Sequence, residues 1–197
     1  KYLRDAMVTI AMLRAKGCSL RIQIWHLGAA EIPASARAFF EEYQVEPYDI
    51  LDYVTEVINI KSNVGYRPFQ LKPMALLYTD LEEVLMLDAD NTPAVDPTFL
   101  FDDARYNKTG TFFWEDYWKT HPENPIWDLL DIQQSTADQW EQESGQVLIN
   151  KQKAWKAIIV LQHLQSDLYY SLLNGDKDTF RFSWMAAGVD YSMNTVW

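Results

Sequence analysis

Apolar residues recur at Leu3, Met7, Ile10, Ala11 and Leu13 with the spacing of one helical face, and Gly17 follows as a stop, which predicts a helix over about residues 2–16. The period then changes. From Ser19 to Leu27 apolar and polar side chains alternate, with Ile and Trp prominent, which predicts a strand; Ala34 to Tyr43, after Pro33, returns to helical spacing. Residues 53–60 again read as strand, and 69–79 as a helix with Pro73 near its first turn. Val84-Leu85-Met86-Leu87 is a continuous apolar run, the form taken by a parallel strand covered on both faces. Beyond it, 146–150 reads as strand, 152–173 as one long helix and 177–187 as another. Strands alternating with helices predict an α/β fold: an open, mixed but mostly parallel sheet flanked by helices, with ligands gathered beyond the carboxyl ends of the strands. No repeat, low-complexity stretch or linker interrupts the pattern, so a single domain over 1–197 is expected.

Composition narrows the function. With 48% apolar residues among 197, the chain can bury a substantial core. A formal charge of -11 with no basic run repels phosphate backbones, which argues against nucleic acid as a partner and means that a bound nucleotide diphosphate needs a metal ion or a few placed cations. Cys18 is the only cysteine, so an internal disulfide and a multi-cysteine zinc site are excluded, and a buried thiol is expected. No stretch reaches the ~20 apolar residues of a membrane span. Asn107-Lys108-Thr109 is a glycosylation sequon, compatible with a secretory lumen.

The chemistry concentrates after the apolar run, at Asp88-Ala89-Asp90-Asn91. If the strand's period of two continues, Asp88 and Asp90 project to one side, where two hard oxygen donors suit Mn²⁺ or Mg²⁺. Solvated carboxylates in an acidic turn are the plainer alternative. Lys72, ahead of this motif, could offset phosphate charge or stand as an exposed helical lysine. In Glu143-Ser144-Gly145-Gln146 the glycine permits close approach of a ligand to the backbone, and the polar side chains can read hydroxyl groups; an ordinary turn is the alternative. The aromatic run Phe112 to Trp118 reads mostly as core, with its rings the alternative platform for stacking on an acceptor sugar and Trp114, Asp116 and Trp118 the candidates for exposure.

The segments Phe69 to Leu77, Leu81 to Asn91, Asp96-Pro97, Leu100-Phe101, Trp140 to Asn150 and Gly175 to Phe182 together resemble the fungal alpha-mannosyltransferases of glycosyltransferase family 71. They are more distantly similar to the glycogenin-like family 8 enzymes. The resemblance runs from about Leu13 to Met193. It implies a GT-A type fold, a nucleotide-sugar donor, GDP-mannose in the mannosyltransferases, a divalent cation held by Asp88 and Asp90, and transfer to a glycan acceptor with retention of configuration. It places Glu143, Ser144, Gly145 and Gln146 along the donor sugar, and Asp176 and Asp178 near the anomeric carbon as catalytic candidates, with Lys177 where family 8 has glutamine. For Asp176 and Asp178, ending one helix and capping the next is the competing role. Arg181, one turn on, could pair with either. Such enzymes usually add an opening nucleotide-binding strand and a carboxyl-terminal metal ligand, both expected outside this chain, as is an amino-terminal Golgi anchor. The alternatives are a UDP-glucose or UDP-galactose transferase of the same fold and a non-catalytic glycan-binding relative. A nucleotidyltransferase fits least, because no glycine-rich basic phosphate loop is visible.

Overall fold

A computed structural model describes residues 2–54, 68–133, 138–173 and 175–194. In chain order the elements are α1 (Tyr2–Ala15), β1 (Ile22–His26), α2 (Arg37–Glu42), β2 (Val45–Asp49), α3 (Leu71–Tyr78), β3 (Glu83–Leu87), α4 (Ala104–Thr109), β4 (Thr111–Glu115), α5 (Ile126–Leu129), β5 (Gln142–Asn150), α6 (Lys151–His163), α7 (Asp167–Leu173), α8 (Lys177–Ala187) and β6 (Ser192–Asn194). They form two compact units. One comprises Lys1–Tyr78 with Asp88–Leu100, the other Thr79–Leu87 with Phe101–Trp197. None of the described helices is long and apolar enough to cross a membrane.

In the first unit β1 and β2 pair in parallel, Ile22 opposite Val45 and His26 opposite Asp49. Ile10 of α1 and Phe40 of α2 cover this pair, packing with Ala36 and Val45. Cys18 is buried there with a free thiol, as expected.

In the second unit the sheet order is β3-β5-β4-β6. β5 runs antiparallel to both of its neighbours, while β6 joins β4 in parallel, so β3, β4 and β6 share one direction and β5 opposes them. The mixed sheet is the expected one, with its reversed strand set between two that run alike. Val84 to Leu87, expected in a parallel ladder covered on both faces, is instead half-buried and antiparallel to β5, and β3 is an edge strand among the described residues. Phe182 of α8 packs edge-on against Trp127 at 4.9 Å, in a core shared with Ile126, Leu164 and Leu173.

Other boundaries moved for local reasons. The long helix expected over 152–173 breaks after His163: Leu164 caps α6, and the Tyr170 amide donates to the Ser166 carbonyl to open α7. β5 begins at Gln142, four positions before the expected start. β2, β4, β6, α4 and α5 were not anticipated. Of the strand expected over 53–60, residues 55–60 lie outside the described residues, and Tyr53 ends a 3-10 turn.

Candidate functional site

Asp88 follows Leu87, the last paired residue of β3, and there the extended backbone ends: the Asn91 amide donates to the Asp88 carbonyl at 3.0 Å, closing a turn. A period of two therefore does not position Asp88 and Asp90; the turn does. Thr9, buried on α1, donates its hydroxyl to the Ala89 carbonyl at 2.9 Å and lies 3.3 Å from the Thr92 hydroxyl, so a helix eighty positions earlier in the chain pins the middle of the turn. Lys72, on α3, places Nζ 2.7 Å from Asp88 Oδ1, with the two side chains 24% and 34% exposed. Asp90 is exposed.

Among the described residues no cluster of three or more His, Cys, Asp or Glu side chains is arranged to hold a metal ion. Two carboxylates on an open turn, one already drawing an ammonium ion, nevertheless fit a hard divalent cation of the kind that completes its shell with water and phosphate oxygens rather than protein. Asp88 and Asp90 would hold such an ion. Lys72 stands beside one of them.

In the second unit the chemistry sits where β4 ends, β5 begins and α8 starts. Lys177, the first residue of α8, reaches Asp116 Oδ2, Glu141 Oε2 and Asp178 Oδ2, each at 2.8 Å. Asp178 is 1% exposed; its Oδ1 accepts from Arg181 Nε at 3.1 Å and from the Gln142 amide at 3.2 Å. Arg181 is fully buried and donates through Nη2 to the Thr120 hydroxyl at 2.8 Å, and Thr120 in turn donates to Glu141 Oε1 at 3.0 Å. The backbone holds the acids in register: Asp116 N donates to Glu141 O, and Glu141 N to Trp118 O, both at 2.8 Å. Arg181 thus pairs with Asp178 rather than Asp176.

Burial works against the Lys177 ammonium, but Asp178, Asp116 and Glu141 together push its pKa above the ordinary lysine value. Burial also pushes the Asp178 carboxyl up, against the pull of Arg181 and Lys177. Asp116 and Glu141 feel burial too, yet Lys177 holds both below the usual carboxylate range. Asp176 is buried at the N-cap of α8 without a side-chain cap bond; its carbonyl accepts from the Thr179 amide and hydroxyl. Gly175 precedes it at a φ of +126°, a conformation open to glycine.

Glu143, Ser144, Gly145 and Gln146 do not form a turn ahead of a strand. They lie inside β5, where the register against β4 slips from Phe112↔Leu148 to Trp114↔Glu143. This is a bulge, a device that redirects side chains at sheet ends. Gly145 donates its amide to Glu143 Oε1 at 2.7 Å, Ser144 is buried, and Gln146 pairs opposite Leu87. Trp114 is half-buried and tilted on Phe112 at 5.0 Å, Phe112 and Phe113 are core, and Tyr117 and Trp118 are 75% and 72% exposed.

The structure thus joins Lys72 to Asp88, and Lys177 to Asp178 and Arg181. Glu143 to Gln146 and Trp114 stand on neighbouring strands outside the Lys177 network. Thr9, Asp116, Thr120, Glu141 and Gln142 had been given no site role by sequence reasoning beyond the exposure expected of Asp116. Their partners come from distant segments, and only Glu141 and Gln142, within a matched motif, carried any signal.

A family model described as mannosyltransferase matches residues 1–140 and 129–196. Two alpha-1,2-mannosyltransferases of Candida albicans are similar over nearly all of the chain: MNN23 is 25% identical over 242 residues, covering 97% of this chain and 39% of its own length, and MNN22 is 24% identical over 241, covering 96% and 40%. The alpha-1,2-mannosyltransferase MNN2 of Saccharomyces cerevisiae is 26% identical over 159 residues, covering 58% of this chain and 27% of its own. The chain spans about two fifths of the length of the Candida relatives. Among solved structures, the glycosyltransferase GlyE of Streptococcus pneumoniae TIGR4 superposes with a TM-score of 0.59 at 16% identity, over 98% of this chain and 42% of that one. At that identity the likeness is one of fold, and the fold is the GT-A type α/β arrangement. Matched along nearly its whole length by the family's model, the chain belongs to this mannosyltransferase family.

Proposed function

We propose that the chain carries the transfer core of a retaining alpha-mannosyltransferase, moving mannose from GDP-mannose to a mannose-containing glycan in an alpha-1,2 or alpha-1,3 linkage, in the secretory pathway. An anchor in the Golgi membrane would belong to a segment outside this chain. The observation that carries the proposal is the family match together with an open two-aspartate turn beside a lysine. The names of the relatives favour mannose over glucose or galactose as the sugar.

On this reading Asp88 and Asp90 hold Mn²⁺ or Mg²⁺, which when bound offsets the charge that grows on the leaving diphosphate. Lys72 shares that task by shifting its ammonium from Asp88 toward the phosphate oxygens. The glycine and polar groups of the β5 bulge line the donor sugar. Asp178, enclosed by Lys177 and Arg181, acts electrostatically: it fixes the ammonium of Lys177, which in turn holds Asp116 and Glu141, whose negative charge can stabilise a sugar ring turning cationic.

The test measures sugar release and transfer with GDP-mannose against UDP-glucose and UDP-galactose, each with and without Mn²⁺. Manganese-dependent turnover of GDP-mannose, lost in Asp88→Ala and Asp90→Ala proteins of unchanged Tm, is the expected result. Preference for a UDP-sugar would overturn the donor assignment, and turnover indifferent to metal would overturn the role of the turn.

A further inference from the structure

Within the second unit a pocket of about 540 Å³ opens beside the end of β4, lined by Glu115, Gln139, Trp140, Asp190 and Tyr191 over a floor that includes Met185. We propose that it binds a neutral pyranose, and that this ring belongs to the acceptor glycan. The acceptor role rests on the mannosyl-transfer reading; the sugar binding does not.

The lining chooses the ligand. No lysine or arginine lines the pocket, and besides Glu115 and Asp190 it includes Asp138, so a diphosphate is repelled. Neither Glu115 nor Asp190 has a hydrogen-bond or ion-pair partner among the described residues, which leaves two strong acceptors facing the cavity. The indole N–H of Trp140 and the amide N–H groups of Gln139 are equally uncommitted donors. A cation would use the acceptors and oppose the donors. A ring of hydroxyl groups, each both donor and acceptor, uses both sets, and its C–H face packs on an aromatic plane.

The aromatic groups are already held. Lys119 Nζ lies 4.8 Å from the Trp140 ring centre and pairs with Asp138 at 2.6 Å, so one face of the indole is braced. Tyr191 packs on Phe113 at 5.4 Å and donates its hydroxyl to Gln139 Oε1 at 3.1 Å. Rings fixed before binding lose little entropy on contact. The place also suits an acceptor: Glu115 and Trp140 immediately precede Asp116 and Glu141, the two acids that hold Lys177.

The test titrates the full chain with α-linked mannobiose, followed by calorimetry and by NMR saturation transfer, in the parent, Trp140→Ala, the double variant Glu115→Gln/Asp190→Asn, and Trp155→Ala, an exposed tryptophan on α6 as control. Losing the stacking face should weaken binding by about three- to ten-fold, the double variant should weaken it similarly, and the control should not change. Saccharide binding unaltered in both pocket variants, or absent from the parent, overturns the pocket. With GDP-mannose as donor, the pocket variants should raise the acceptor KM and leave donor hydrolysis intact. A parent that binds mannobiose but never turns over a mannose donor would sink the mannosyl-transfer reading and leave the pocket standing.

Discussion

The ammonium of Lys72 lies 2.7 Å from a carboxylate oxygen of Asp88, so the first aspartate of the turn after β3 already has a cationic partner before any metal or donor arrives. A divalent ion must displace or share that partner. Replacing Lys72 with Met should therefore tighten Mn²⁺ binding to the donor-free protein by about two- to five-fold, the equivalent of a partly exposed ion pair. It should weaken binding of the nucleotide diphosphate. The electron-paramagnetic signal of free Mn²⁺ reads the first effect; an unchanged or weaker metal affinity would show that the lysine does not compete at this carboxylate.

Asp178 is enclosed by two cations, one of them fully buried. Its replacement by alanine strands Arg181 without solvent or counter-ion, at a cost of about 3–5 kcal/mol. For a chain of this size that corresponds to a Tm drop on the order of 10 °C. Loss of activity in Asp178→Ala is thus expected from instability alone, and only the Tm-matched comparison with Asp178→Asn separates chemistry from folding. An alanine variant as stable as the parent would contradict the network described here.

The amino end of α4 offers a pH test. Asp103 Oδ1 accepts from the Arg105 amide at 2.8 Å and its Oδ2 pairs with the Arg105 guanidinium, chiefly through hydrogen bonds that bring the carboxyl pKa down to about 2. A folded value below the unfolded one means that the ionised carboxylate stabilises the fold above the unfolded pKa near 4, and that this contribution disappears as pH falls toward 2. Since Arg105 is half exposed, solvent screening limits the effect to about 1 kcal/mol. Urea midpoints of the parent and Asp103→Asn should differ at pH 7 and converge near pH 2; a constant gap would mean that charge is not the cause.

Gly110 ends α4 at a φ of +74°. A methyl group there would fall 2.6 Å from Lys153 Cδ and 2.8 Å from Lys153 Cβ. Left-handed strain alone costs about 1–2 kcal/mol for a residue with a Cβ, and Lys153, which donates to the Asn107 carbonyl, would have to move as well. Gly110→Ala should lower the denaturation midpoint accordingly, while Gly17→Ala, also at positive φ but with open space around it, should lower it less.

Some of this was legible in the chain and some was not. α1 and α8 could be read because long amphipathic stretches carry their own period, and α8 occupies the residues expected for it. β2 escaped because Glu46 and Pro47 break the strand signal, which a strand paired on one side among the described residues tolerates. Asp88 and Asp90 stood out because acids directly after an apolar run are a local pattern. The hydroxyl of Thr9 that secures their turn could not stand out, since nothing near Thr9 refers to Ala89. Likewise Lys177 was visible, but its partners Asp116 and Glu141 meet it only because β4, which was not anticipated, pairs with β5, which begins earlier than expected.

The pairing of β3 with β5 alone, among the described strands, fixes an order of events during synthesis. The ribosome releases β3, then α4, β4 and α5, before β5 exists to pair with it. Until that strand emerges, the aspartate turn hangs from an unpaired apolar segment, the kind of edge that recruits other chains. A nascent chain stalled before Gln142 would thus be prone to aggregate through Val84 to Leu87.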